Sequence, residues 1–174
     1  CFDMGECVRF ALASRHVAIT HGHMDHIGAL AYYCSQRRFQ GMGTGKIICD
    51  SRIANAVKKM IDGFVDLEQQ KTPYDLITVE PEKMIEVKPS VWLRAFQTEH
   101  TSPSMGYVAI EKRSKLKPEF AEYPQEKLKE LKDRGVEITR ILEIPLIAYI
   151  GDTLPGPHLL RNDVRKAEII ICEC

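Results

Sequence analysis

The sequence predicts a mixed α/β fold, and three observations carry that prediction. A short apolar, β-branched run from Val17 to Thr20 reads as a buried strand, and a helix-forming stretch rich in small residues follows it. A second strand, Lys46 to Cys49, also leads into a helix, because Ile53, Ala54, Val57 and Ile61 make one apolar stripe at helical spacing. From Leu76 to Phe96, strand-like segments break at Pro81 and Pro89, as antiparallel strands joined by turns would.

The elements follow in order. Glu6 to Arg15 can form a short helix ahead of the first strand. Ile27 to Phe39 is a predicted helix: Gly28, Ala29 and Ala31 let it approach the sheet closely, and Arg37 and Arg38 suit its C-terminus. The glycine-rich stretch Gln40 to Gly45 follows a helix and precedes a strand, the reverse of a phosphate-binding loop, so it reads as a flexible connection. Ser51 is expected to N-cap the helix Arg52 to Ile61, and Trp92 to anchor a core. Residues 111–139 form a polar insert. Within it Pro124 opens a short amphipathic helix, Leu128 and Leu131 are its apolar positions, Glu130 and Arg134 pair one turn apart, and Gly135 stops it. Ile147 to Thr153 is a strand ending in Gly-Asp-Thr, and a further apolar strand covers Ile169 to Cys172.

At 174 residues the chain suffices for one domain with a real core. Its 24 Lys and Arg balance 24 Asp and Glu, so no global field draws it to nucleic acid or membrane, and any nucleic-acid contact must be local. Cys1, Cys7, Cys34, Cys49, Cys172 and Cys174 lack zinc-ribbon spacing and lie in apolar runs, which reads as reduced, mostly buried thiols of an intracellular protein, cytoplasmic or organellar. No apolar stretch approaches the roughly 20 residues of a membrane helix, and no signal peptide precedes the first strand. The sequence starts without Met and stops at a strand end, so a piece of a longer protein is expected.

The chemistry concentrates in Thr20-His21-Gly22-His23-Met24-Asp25-His26. Zinc takes imidazole nitrogen and carboxylate oxygen, and a catalytic zinc keeps one position for water. If Val17 to Thr20 is a strand, His21 and His23 leave the following turn close together, while Asp25 and His26 open the next helix and can face a second ion.

The pattern His-x-His-x-Asp-His after a strand resembles the signature of the metallo-β-lactamase superfamily of binuclear zinc hydrolases. The resemblance implies an αββα sandwich, here incomplete at both ends, with 1–174 as a single partial domain. His100, followed by five residues and Gly106-Tyr107, is similar to one subfamily, the tRNA 3′-processing endonuclease ribonuclease Z. That likeness implies two zinc ions in a complete site. His21, His23, His100 and Asp152 would hold one; Asp25, His26 and the bridging Asp152 would hold the other, together with a histidine that the sequence does not contain. Asp3 would orient the ligands. Glu99 would be a solvated neighbour, and His158 would face solvent and ligate nothing.

Ile169 to Cys174 resembles the strand of the family's His-Glu-Ala-Thr box, with Glu173 on its Glu and Cys172 in place of its His. The implied reaction removes 3′ trailers from precursor tRNA: a metal-held hydroxide attacks phosphorus, Asp25 accepts the water proton, and Glu173, through an absent histidine partner, helps protonate the leaving 3′ oxygen. The insert at about 111–139 sits where the family carries an arm that holds tRNA, although its lysines and arginines only slightly outnumber its acids. Two alternatives stand beside this reading. One is another hydrolase on the same scaffold, such as a cyclic-nucleotide phosphodiesterase, thioesterase or lactonase; the other is a non-catalytic metal-binding or RNA-binding homologue. A sandwich with one face uncovered would expose apolar surface, which makes a homodimer an expectation.

Overall fold

Alternation along the first strands decides how the layers stack in the computed structural model, which describes residues 1–173. The helices in chain order are α1 (Met24–Ile27), α2 (Leu30–Phe39), α3 (Ser51–Glu68), α4 (Gln125–Asp133) and α5 (Asn162–Arg165). Strands β1 (His16–Ala18), β2 (Gly45–Asp50) and β3 (Tyr74–Val79) form a parallel sheet in that order, with Val17 beside Ile47 and Ala18 beside Ile48. Successive side chains point to opposite faces of a sheet. Val17, Ile19, Ile47 and Cys49 therefore enter one core with Leu30 and Tyr33 of α2 and with Ala54, Val57 and Ile61 of α3.

Ala18 and Ile48 point the other way, into a second core with Leu93, Ala95, Met105 and Tyr107. Those residues belong to a five-stranded sheet ordered β4 (Met84–Lys88), β5 (Val91–Gln97), β6 (Met105–Leu116), β7 (Thr139–Asp152) and β8 (Ile169–Glu173). Its pairs are antiparallel except β7 with β8. On its far face Phe96, Val108, Ile110 and Ile150 pack with Val164 of α5. Helix, sheet, sheet and helix stack as the αββα sandwich, and each fully buried Ile or Val in these layers contributes about 1.5–3 kcal/mol.

Several elements depart from the expectations. The helix expected over 27–39 is two: α1 holds Asp25 and His26, and α2 follows after Ala29, whose N–H donates to the Met4 carbonyl at 2.9 Å. That outside partner lets the chain turn between the ligand-bearing turn and the long helix. Asp50, rather than Ser51, caps α3: its Oδ1 accepts from the Arg52 N–H at 2.8 Å, a contact worth about 1 kcal/mol. The helix runs beyond Ile61 to Glu68. Residues 74–79 are a parallel strand of the first sheet, and only β4 and β5 form the antiparallel pair expected there. Local alternation reports that a segment is extended and is silent on its neighbour. The stretch Glu6 to Arg15 holds a five-residue 3₁₀ turn, Arg9–Ala13.

Trp92 is half-buried with the Lys112 Nζ 4.1 Å from its ring centre, a cation–π contact at the sheet surface rather than a core anchor. Cys34 and Cys49 are buried and Cys7 half-buried, but Cys1 and Cys172 are exposed, so the thiols are not mostly buried; Cys174 lies outside the described residues. Beyond the sandwich, β6 and β7 continue as a two-stranded ribbon out to Leu116 beside Thr139, with α4 in the connection between them. Leu128 and Leu131 of α4 are half-buried, and Glu130 lies 3.6 Å from Arg134. Edge strand β8 leaves Ile169, Ile170 and Ile171 about half exposed. Among the described residues no helix is long and apolar enough to cross a membrane.

Candidate metal centre

The loop after β1, the turn after β5 and the end of β7 meet at one corner between the two sheets. From them His21, His23, His100 and Asp152 each offer a ligand atom, and these atoms all lie within 4.8 Å of one another. The three rings stand edge-on: His21 is 4.5 Å from His23 and 4.6 Å from His100 between ring centres, and His23 is 4.9 Å from His100. A second group, His26, Asp152 and Glu173, meets the same criterion and shares Asp152. Asp25 belongs to neither group. Its side chain is 78% exposed, with Oδ2 3.6 Å from His26 Nε2.

Tautomers follow from the hydrogen bonds. The Thr20 hydroxyl gives its one proton to Asp3 Oδ2 at 2.9 Å, because a carboxylate can only accept. The same oxygen lies 3.0 Å from His21 Nδ1, so Nδ1–H donates to it and Nε2 is left with its lone pair. Among the described residues His21 Nε2 is buried without a hydrogen-bond partner, and so is Asp152 Oδ1. Asp152 Oδ1 lies 3.2 Å from His26 Nε2, close but outside hydrogen-bond geometry. Buried acceptors without a hydrogen-bond donor, on residues whose ligand atoms lie within 4.8 Å of one another, cost stability unless a cation satisfies them. Burial, with the neighbouring histidines, pushes the His21 pKa down to about 4, so the ring is neutral at pH 7 and able to ligate. This donor set of imidazoles and a carboxylate fits zinc.

Asp3 organises the corner. Besides Thr20 Oγ1 it receives the Thr20 N–H on Oδ1 at 2.8 Å and His26 Nδ1 on Oδ2 at 2.9 Å. Burial alone would lower the His26 pKa, but Asp3, Asp152 and Asp25 outweigh it and raise it. A carboxylate behind a ligating imidazole fixes the ring's orientation and makes it a better donor. Asp3 adopts φ 51°, a left-handed backbone that Asp tolerates better than most residues. Gly151 has φ 66°, and a Cβ there would lie 2.9 Å from Thr20 Cγ2, so only glycine lets Asp152 come this close to the metal loop. The Gly106-Tyr107 pair has a structural reason too. A Cβ at 106 would strike the Phe96 ring at 2.3 Å, and the buried Tyr107 hydroxyl donates to the Ile19 carbonyl at 2.7 Å, fastening β6 beneath the loop.

A family model described as anti-Pycsar protein Apyc1 matches residues 4–142. Nuclear ribonuclease Z of Triticum aestivum is 33% identical over 138 residues, 79% of this chain and 78% of that protein. The chain belongs to both families: Apyc1 by model, ribonuclease Z by identity. The chloroplastic tRNase Z TRZ2 of Arabidopsis thaliana, a ribonuclease Z relative, is 33% identical over 99% of this chain and 49% of its own length; tRNase Z TRZ1 of the same plant is 30% identical, with 62% of its length matched. The chain thus spans about half to three-fifths of these two relatives. Human tRNase Z, short form, superposes with a TM-score of 0.56 at 16% identity, covering 97% of this chain and 64% of that one. Zn(2+)-bound PqqB of Methylobacterium extorquens superposes at 0.52 with 12% identity, covering 91% and 45%. The fold is that of the metallo-β-lactamases.

Of the residues singled out in the sequence, His21, His23, His26, His100, Asp152 and Glu173 come together at this corner, and Asp25 sits at its rim. His158 does not face solvent: it is 8% exposed, with Nε2 2.9 Å from Thr153 Oγ1. Flanking prolines suggested a surface turn, but the 3₁₀ turn Pro157–Leu160 folds the ring inward. Thr20 and Thr153 went unremarked as functional residues. Their signal was present, since each is a hydroxyl residue adjoining a ligand. Beside His100 a cleft of about 620 Å³ opens, lined by Glu82, Gln97, Glu99, His158 and Arg161.

Proposed function

We propose that the chain carries the catalytic part of a zinc-dependent endoribonuclease that removes 3′ trailers from precursor tRNA. The observation that carries this reading is the convergence of His21, His23, His100 and Asp152, with two buried acceptor atoms unsatisfied, in a chain 33% identical to a nuclear ribonuclease Z. These four residues would hold one zinc. His26, Asp152 and, from the rim, Asp25 would hold part of the second, whose last ligand is a histidine that this sequence does not contain. A zinc pair supplies a water acidified towards pKa of about 7 and positive charge opposite the phosphoryl oxygens.

The chain's own groups do the rest. Asp3 and Thr20 fix the rings of His26 and His21, and Asp152 spans the two groups. Asp25, exposed at the rim, accepts the proton of the attacking water. Glu173 would help protonate the leaving 3′ oxygen only with a histidine partner that this sequence does not contain. Residues 111–139 form the RNA-contacting arm, whose ribbon and α4 present Lys115, Lys127, Lys129 and Lys132. The exposed apolar faces, β8 among them, are covered in a homodimer. We place the protein inside a cell or organelle, as its nuclear and chloroplastic relatives are named.

The test is cleavage of a precursor tRNA and of a small phosphodiester by the purified protein, before and after chelation. Trailer release abolished by chelator and restored by zinc is expected. Hydrolysis of a cyclic nucleotide, thioester or lactone with precursor tRNA left intact would replace this substrate with one of the alternatives.

A further inference from the structure

His158 and Thr153 lie outside the ligand set, yet they connect the two loops that carry its most distant members. Thr153 follows Asp152 directly, and Glu99 precedes His100. The Thr153 hydroxyl oxygen accepts from the Glu99 N–H at 3.2 Å, while the Glu99 and Leu154 carbonyls lie 3.1 and 3.0 Å from it to take its proton. We assign that proton to a carbonyl, which leaves a lone pair of the hydroxyl oxygen to accept from His158 Nε2–H at 2.9 Å. The Leu154 N–H adds a bond to the Glu99 carbonyl at 2.8 Å. Thr153 is 6% exposed and His158 8%, so the bond between them is buried, while the Glu99 side of the network reaches the cleft beside His100. A connected hydrogen-bond network fixes geometry more firmly than its bonds would one by one.

We propose that Thr153 and His158 are positioning residues, a clamp that sets the separation of His100 and Asp152 and so the metal affinity of the site. Thr153 is the joint, bonded to the backbone on both sides; His158 locks its hydroxyl rotor from behind. The chain around His100 is short of other support in this direction: Thr98 Oγ1 donates to Ser104 Oγ at 2.8 Å and closes the turn upon itself, but reaches nothing on β7. Without the clamp, His100 would keep its fold-level place while losing its spacing to Asp152. Residues that orient ligands without touching the metal set affinity by about 10–100-fold. The inference rests on the metal-centre reading and is independent of the substrate.

The experiment measures zinc affinity by chelator competition for the wild-type protein, Thr153→Val, His158→Ala, His158→Gln and the Thr153→Val/His158→Ala pair. Unfolding of each metal-free form is followed in parallel. Thr153→Val is expected to weaken the tight site by about 10–100-fold and His158→Ala by about tenfold. His158→Gln, whose amide N–H can reach the same hydroxyl, should retain near wild-type affinity. The double variant should lose no more than Thr153→Val alone, because the two side chains act as one unit. Wild-type affinity in both single variants would overturn the clamp, as would additive losses, or losses explained by destabilised metal-free protein. A wild-type protein that holds no zinc would instead remove the metal reading itself, so the two failures are distinct.

Discussion

The metal corner and the 111–139 ribbon are built on opposite principles. At the back of the corner the polar atoms are buried and committed: Asp3 serves three donors and Thr20 joins two side chains, while His21 Nε2 and Asp152 Oδ1 are left over and His23, Asp25 and Glu173 stay exposed at the front. On the ribbon most charges are exposed, and beyond the close Arg113–Glu111 pair at 2.6 Å they pair loosely, as with Glu130 and Arg134 at 3.6 Å or Lys117 and Glu137 at 3.8 Å. Buried networks hold geometry; exposed pairs at these separations contribute little stability and leave side chains available to a partner. On the proposed reading chemistry belongs to the corner and recognition to the ribbon, so each should be open to disturbance without the other.

The largest effect should come from Asp152→Ala, which removes the carboxylate shared by both ligand groups. Loss of bound metal and loss of cleavage by several orders of magnitude are expected on any substrate, read by metal analysis and turnover together. Asp3→Ala comes next. It leaves His26 Nδ1 and the Thr20 hydroxyl without their acceptor, so affinity of the His26 group for zinc should fall about 10–100-fold while the sandwich still folds; calorimetric titration would reveal it, and unchanged binding would mean that Asp3 only shapes the backbone. Deleting Lys115 to Arg134 should weaken binding of precursor tRNA and spare a small phosphodiester. Equal loss on both would erase the division between corner and ribbon. Smallest is Glu130→Ala, expected to shift stability by less than about 0.5 kcal/mol in urea unfolding.

The candidate ligands were legible because their chemistry is dense and local. Three histidines and an aspartate in six residues announce themselves, and Gly-Asp-Thr at a strand end and His before Gly-Tyr are similarly compact. The first two strands were legible for a related reason, since Val17 to Thr20 and Lys46 to Cys49 are short apolar runs, but the division of their side chains between two layers appears only in the structure. What escaped depended on partners distant in sequence. Residues 74–79 read as extended, but nothing local told that their neighbour is β2. His158 looked solvent-facing between prolines until its partner, Thr153, came into place. Trp92 looked like core because it is large, although a lysine from the next strand covers its ring. Asp50 displaced Ser51 as a cap because its carboxylate can hold both the Arg52 N–H and its guanidinium.

End-group analysis of the cleaved precursor tRNA tests the central claim most directly. Attack by a water-derived nucleophile at the metal corner, in line with the departing 3′ oxygen, needs no ribose 2′-hydroxyl. The account predicts a 3′-hydroxyl on the tRNA and a 5′-phosphate on the trailer, with both products lost in Asp152→Ala. A 2′,3′-cyclic phosphate on the tRNA, or cleavage that survives that substitution, would contradict it.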